Sequence, residues 1–576
     1  MKRYVCLLFG ACSLWLGSAG AQECSEATLP ALGSKVTMFA WSDKYVYQPG
    51  ESLALRWTVK TNGDEYPYTV VAFRQNNQTG ARTYLPGGTA EATDIFGNSM
   101  ATGFQATALQ SGEKQPLLGE GGLLGGAATI PDELGMHTIT VQLRDCSGTR
   151  VLKTAYMKIG VVDEFVEVSG NIESNRTWVS TKAYRVSGVV FVRNNAVLTI
   201  EPGTFVIGQP GSQPPSALIV TRSGRINAAG TRSRPIVMTS SQPFGQRRRG
   251  DWGGLVMLGR APVNTGANIG TAQNPAGEFN IEGLPASEDT RFGGTDVNHN
   301  CGTLAYVRVE YAGSILSPNN ELNSFTWGGC GKQTVAHHLQ AIFGLDDAFE
   351  WFGGTNDARY LVGGLNADDF VDYQLGWTGR LQYGIFYQSP DDRGNRGVEG
   401  DNSEFNASAT PLSKPVMYNL TFIGSGQAGF DEANSPGLYL RRGAGAEIYN
   451  TLVTNFASAG VLLDGAATTA QVDANNIKMD GILLWNNFRS TQAENTVQAQ
   501  VHSSAANLAT GQSPNGRNFV SVDPMLRRPF DYSDPDFRGA FGSRIFSPRW
   551  VSPPDDGFFD QTASFIGGMG ETNWTE

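Results

Sequence analysis

The chain has 576 residues, 71 of them Gly, with 40% hydrophobic residues, 17% charged residues and a formal charge of −11. That length permits more than one domain, and a Gly-rich, charge-poor composition suits short strands and tight turns better than a helix-rich enzyme. An acidic chain whose basic cluster, Arg247-Arg248-Arg249, stands alone is not expected to bind nucleic acid.

Residues 1–21 read as an export signal. Lys2-Arg3 is the basic end, Val5 to Gly17 the apolar run and Ala19-Gly20-Ala21 the cleavage site, so the mature chain is expected to start at Gln22. Removing this segment takes the formal charge from −11 to −13. Phe9-Gly10-Ala11 before Cys12 is a poor lipidation box, so no lipid anchor is expected at Cys12. No later stretch is long and apolar enough to form a spanning helix.

Residues 22–165 are predicted to form a β-sandwich of the immunoglobulin-like kind. The strand signals are at 36–41, 53–59, 68–73, 137–143 and 155–159, several with half-buried alternation. Gly119 to Gly126 reads as a surface loop. Outside the signal the cysteines are Cys24, Cys146, Cys301 and Cys330, an even number suited to disulfides in an exported chain. Three pairings are open; Cys24–Cys146 and Cys301–Cys330 keep each pair within one predicted domain, and zinc lacks a CxxC spacing.

Residues 176–525 are predicted to be a parallel β-helix, because short apolar strands and Gly-marked bends recur. Residues 265–300, rich in Gly and Asn, read as an excursion from the coil. Asp346-Asp347-Ala348-Phe349-Glu350-Trp351-Phe352-Gly353-Gly354 is then echoed 22 residues on by Asp368-Asp369-Phe370-Val371-Asp372-Tyr373-Gln374-Leu375-Gly376. Residues one period apart lie in neighbouring strands, about 4.8 Å apart, so carboxylates are predicted to stack on carboxylates. Residues 526–576, rich in Pro, Phe and Asp, are expected to cap the coil.

Several further phrases make a set: Leu198-Thr199-Ile200-Glu201-Pro202-Gly203-Thr204, Pro235-Ile236-Val237-Met238-Thr239-Ser240, Arg249-Gly250-Asp251-Trp252-Gly253-Gly254-Leu255 and Arg308-Val309-Glu310-Tyr311-Ala312-Gly313. With Asp346 to Gly354, Glu399-Gly400-Asp401-Asn402 and Asp555-Asp556-Gly557-Phe558-Phe559-Asp560, residues 176–576 resemble a large family of exported bacterial proteins that includes the leptospiral outer-membrane lipoprotein type. The resemblance implies a right-handed parallel β-helix and a secreted, periplasmic or outer-membrane-surface location in a Gram-negative bacterium. It brings no catalytic residues, and this chain departs from the lipidated N-terminus of many members.

The candidate chemistry sits in the doubled phrase. Asp346, Asp347, Asp368 and Asp369 are candidate catalytic carboxylates, one acting as acid and one as base or nucleophile on a glycosidic bond. Asp346, Asp368, Glu350 and Asp372 are candidate ligands for Ca²⁺, which takes six to eight oxygens. The bland reading leaves the same acids as turn residues bonded to backbone amides. Glu350, Trp351, Asp372, Tyr373, Trp377 and Tyr383 are candidate glycan-binding residues, with core packing as the alternative for the rings. His337 and His338 are expected on opposite faces of a strand. Gly-His-Gly and Arg-Ile-Lys phrases of polygalacturonases are absent. The favoured function is an exported protein that binds glycan or another surface partner without catalysis. A polysaccharide hydrolase or lyase, or a purely structural envelope protein, are the alternatives.

Overall fold

The computed structural model describes residues 36–53, 55–61, 68–84, 104–106, 128–130, 132–144, 151–212, 214–264, 277–317, 320–389, 394, 396–425, 435–487, 517–532 and 535–575. The expected signal, Gly119 to Gly126, Cys24 and Cys146 lie outside the described residues.

Strands occupy each of the five predicted N-terminal positions. Tyr68–Asn76, Gly135–Arg144 and Val151–Val161 form an antiparallel group, and the short strand Val46–Tyr47 adds parallel to its edge, which makes the sheet mixed. A separate antiparallel pair joins Val36–Ser42 to Leu55–Thr61. Alternation in Gly135–Arg144 places Ile139, Val141 and Leu143 in one core with Tyr47, Leu53 and Ile159. This unit meets the coil through Met136 and Val46, which pack with Phe205 and Val237.

From Glu164 onward the chain winds as a parallel β-helix. Among the described residues one sheet has seventeen strands and another nine, and nearly all pair in parallel with the strand one turn earlier. The longer sheet supplies two walls. Strands such as Gly302–Glu310, Val335–Ile342, Ala358–Gly364 and Arg380–Tyr387 cross from one wall to the other. Each bends at a residue with left-handed backbone: Tyr306 (φ 51°), His338 (φ 53°), Tyr360 (φ 56°) and Tyr383 (φ 65°). Such φ values are unfavourable for bulky residues, and here they recur on successive rungs as the corner of the coil. Their rings stack in a ladder, with centroids 4.3 Å apart for Tyr306–His338, 4.4 Å for His338–Tyr360 and 4.9 Å for Tyr360–Tyr383. The corner also breaks strand alternation, so the Nδ1 atoms of His337 and His338 meet at 2.9 Å rather than facing apart.

Inside the coil like residues stack on like. Trp327 and Trp351 stack at 4.8 Å and Trp351 and Trp377 at 4.5 Å, and all three are fully buried. Tyr373 is also fully buried, and its hydroxyl donates to the Gly445 carbonyl at 2.9 Å. These rings were candidate sugar platforms. They are core residues instead, because Trp351 and Tyr373 alternate with the outward Glu350 and Asp372 along four-residue strands. Tyr383 is covered too, at 5% exposure, with its hydroxyl donating to Asp560 at 2.8 Å.

The excursion returns as an antiparallel hairpin, Glu278–Asn280 with Arg291–Gly293. Phe279, Ile281 and Phe292 from this hairpin pack on Val256, Leu258 and Phe352 of the coil. Cys301 and Cys330 are joined, with Cα atoms 5.9 Å apart, so the disulfide ties the returning chain to the next turn. The Arg249-Gly250-Asp251 tripeptide is turn chemistry: Gly250 has φ 79°, and Asp251 accepts from Ser240 Oγ at 2.5 Å and from the Arg248 amide at 3.0 Å.

The last segment lies along the flank of the coil. Gln382 exchanges hydrogen bonds with the Asp560 backbone at 2.7 and 3.2 Å, and Asn419 donates to the Phe565 carbonyl at 2.8 Å. Asn450 both donates to Val551 O (2.7 Å) and accepts from Val551 N–H (2.6 Å). One short α-helix, Ala466–Asp473, is present among the described residues.

Trp351→Ala removes the middle ring of a sealed stack and is expected to lower stability by about 3–5 kcal/mol. Urea unfolding of the variant measures this. A change below about 1 kcal/mol would mean that the ring is not a core residue.

Candidate functional site

The nine-stranded sheet turns one column of side chains outward. In register it runs Ile219, Val256, Thr326, Glu350, Asp372, Glu399, Tyr439 and Leu462. The first two are apolar and lie under the excursion hairpin. The column then becomes acidic for three consecutive rungs. The expected stacking of Glu350 on Asp372 is observed, and Glu399 extends it.

A second acidic column lies at the turns before these strands. Asn323 Oδ1 accepts from the Asp347 amide at 3.1 Å, Asp347 Oδ1 from the Asp369 amide at 2.9 Å and Asp369 Oδ1 from the Arg396 amide at 2.6 Å. Each inner Asp therefore ties its turn to the next, which is the structural role that Asp favours at turns. Exposure is 5% for Asp347, 4% for Glu350 and 1% for Asp369. Asp346, Asp368 and Asp372 are half-buried.

Counter-charge is unevenly supplied. At one end Arg396 pairs with Asp369 (3.1 Å) and Glu399 (2.9 Å), Arg441 with Glu399 (2.7 Å) and Asp401 (2.8 Å), and Arg442 with Asp401 (2.7 Å). At the other end Glu350 has neutral donors, Asn323 Nδ2 and Gln374 Nε2. There Glu282 of the hairpin and Glu321 bring two more carboxyl groups into electrostatic range of Asp346. Burial first, and then neighbouring carboxylates, holds Asp346, Asp347, Glu350 and Asp372 well above the usual carboxylate range. The same causes push Glu282 up to about 8.

Three overlapping triads each place one oxygen per residue within 4.8 Å of the others: Asp346/Asp347/Asp368, Asp347/Glu350/Asp372 and Asp369/Asp372/Glu399. Asp372 Oδ1 is buried with no hydrogen-bond partner among the described residues. Such oxygens require protons or a cation. All six acids singled out in the sequence thus converge. Arg359 and Arg380, which follow the acidic turns, do not join them. Arg359 lies 4.2 Å over the Phe558 ring, and Arg380 pairs with Asp357 (2.5 Å) and Asp556 (2.7 Å). Sequence reasoning passed over Arg396 and Arg441. The signal was a looser third copy of the phrase, Arg396-Gly397-Val398-Glu399-Gly400-Asp401, with Arg where the earlier copies have Asp347 and Asp369.

The raised carboxyls fix the sign of a pH dependence. An acid whose folded pKa exceeds its unfolded value of about 4 stabilises the fold while protonated, fully so below that pH. The contribution is lost as pH rises through the folded pKa. In metal-free buffer Tm is therefore expected to fall between about pH 5 and pH 8, with a shallower fall in Glu350→Gln, as read by differential scanning fluorimetry. A Tm that is flat or rising across that interval would contradict the arrangement.

Comparison with known proteins adds the following. The family model described as a pectate-lyase-like β-helix domain matches residues 170–521. No curated protein matches the chain. Among solved structures, the family 28 exopolygalacturonase of Yersinia enterocolitica aligns at 12% identity over 79% of this chain and 87% of that one, with a TM-score of 0.19, too low to bear on fold or site. The parallel coil and the span of the family match agree, and the chain belongs to the pectate-lyase-like β-helix family.

Proposed function

We propose that this is an exported, secreted or surface-exposed β-helix protein that binds glycan without catalysis, using a Ca²⁺ ion held by the acidic column. The observation that carries the reading is the set of three carboxylate triads, two of them sharing Asp372, whose Oδ1 is buried and unpartnered among the described residues. Ca²⁺ takes six to eight oxygens, so a triad leaves positions for hydroxyl or carboxylate oxygens of a glycan. Export is supported by the leader-like first residues and by the Cys301–Cys330 disulfide. The narrower resemblance to the leptospiral lipoprotein type, a right-handed coil and an immunoglobulin-like N-terminal unit belong to the same reading. A crystal structure with a left-handed coil or an unrelated N-terminal topology would remove those parts.

A polysaccharide hydrolase or lyase is the second reading, favoured by the raised carboxyl groups in the cluster. Against it, Asp347 and Glu350 are 5% and 4% exposed, which leaves only the half-buried Asp346, Asp368 and Asp372 within reach of a glycan, and the Gly-His-Gly and Arg-Ile-Lys phrases of polygalacturonases are absent. Reducing-end release and unsaturated-product absorbance on defined polysaccharides decide between them. No turnover is expected; turnover that disappears in Asp346→Ala or Asp368→Ala would establish the enzyme. Failure to bind any glycan would leave the structural envelope role.

Ca²⁺ is expected to raise Tm progressively with the logarithm of its concentration above Kd, with about 2.7 kcal/mol of stabilisation at 100 times Kd. Asp372→Asn is expected to weaken this at least about tenfold, through loss of a charged ligand. An equal response in wild type and variant, or none to Ca²⁺ or Mg²⁺ in wild type, would reject the cation site.

A further inference from the structure

The excursion hairpin brings Glu282 within electrostatic range of Asp346 and Glu350, whereas its other acids, Glu278, Glu288 and Asp289, pair with a basic corner of the coil. Asp289 pairs with Arg193 at 2.6 Å, and Glu278 and Glu288 each pair with Arg222 at 2.6 Å. Three connections between strands come together beside them, at Asn194-Asn195, Ser223-Gly224 and His299-Asn300. The Asn194 amide donates to Ser223 Oγ at 3.2 Å, and a Cβ on Gly224 would fall 2.0 Å from the Val192 carbonyl oxygen. Close stacking of the backbone leaves a cavity of about 340 Å³ next to these turns, whose walls include Asn195, Arg222, Ser223, Arg225, Arg260 and His299.

The charges in this cavity do not cancel. Arg222 is taken up by Glu278 and Glu288. Arg225 donates through Nε to the Asn300 carbonyl at 3.2 Å and has no carboxylate partner among the described residues. Arg260 is exposed and likewise has no carboxylate partner among the described residues. His299 Nε2 is buried without a hydrogen-bond partner, and Nδ1 is 3.8 Å from the Asp296 carboxylate. Burial, and then the Arg260 guanidinium, holds this imidazole below its ordinary range. Two guanidiniums without carboxylates thus meet at one cavity in a chain of formal charge −11. Guanidinium forks match the geometry of oxyanions, and a neutral imidazole adds one more donor.

We propose that this cavity binds an oxyanion group (carboxylate, sulfate or phosphate), free or carried on a sugar residue. It shares no residue with the acidic column, so it stands or falls separately from the cation reading.

The test uses the full mature chain at constant ionic strength, with chloride as the reference anion. Sodium sulfate, inorganic phosphate and glucuronate are the probes, read by calorimetry and by thermal shift. Arg225→Gln and Arg260→Gln alter exposed side chains, and an unchanged Tm without probe verifies that each variant is folded. Saturable binding of at least one probe is expected, weakened at least about tenfold in each variant, as loss of a charge-assisted hydrogen bond implies. The His299 imidazole, followed by NMR, is expected to titrate at higher pH in the saturated protein. Preference for sulfate or phosphate assigns a sulfate or phosphate group; preference for glucuronate assigns a carboxylate carried on a sugar. Binding no better than chloride for all three probes, or wild-type affinity in the Arg225→Gln/Arg260→Gln variant, would overturn the proposal.

Discussion

In-register stacking at one strand spacing governs this molecule. Whatever occupies a position on one rung meets its counterpart about 4.8 Å away on the next. For apolar and aromatic residues the consequence is favourable, and Trp327, Trp351 and Trp377 make a continuous sealed stack. For carboxylates it is not. Two unit charges at that distance repel by about 3–4 kcal/mol at an effective dielectric near 20. Glu350, Asp372 and Glu399 occupy three successive rungs of one column, so the fold concentrates a charge that it must also neutralise. Arg396 and Arg441 do this at one end, whereas at the other the hairpin brings another acid, Glu282. That asymmetry is the electrostatic core of the functional reading.

Much of this was legible in the chain. A repeat at a fixed interval of 22 residues specifies its own register, and the pairs Phe349–Val371, Glu350–Asp372 and Trp351–Tyr373 are the observed partners. Alternation along a strand also implied that Glu350 and Trp351 cannot both face outward. Taking both as ligand-binding residues set that constraint aside. Other features depend on conformations that composition does not encode. His337 and His338 meet because His338 has left-handed φ at the corner of the coil. Arg396 comes after a longer connection than the one joining the first two copies, so the charge it delivers is hidden from a search at a single period. The pairing of Cys301 with Cys330, by contrast, needed only the argument that partners share a domain.

The hairpin gives the molecule two electrostatic surfaces of opposite sign. Glu282 adds to the acidic column, while Glu278, Glu288 and Asp289 take up Arg193 and Arg222 beside the basic cavity. Its apolar face, with Phe279, Ile281 and Phe292, packs on the coil between these interactions. One inserted element therefore adjusts charge on both sides while its core contacts remain those of an ordinary sheet-packing hairpin.

The C-terminal segment has a different consequence. In a coil each rung touches only its neighbours, so stability is the sum of local terms and the array can fray from one end. Residues 551–568 bind side chains at Gln382, Asn419 and Asn450, positions on three consecutive windings. Rungs that would otherwise melt in sequence share a partner. The segment thereby works as a longitudinal tie that converts a one-dimensional stack into a more cooperative body, in which partial unwinding of any one of those rungs strains the attachment of the others.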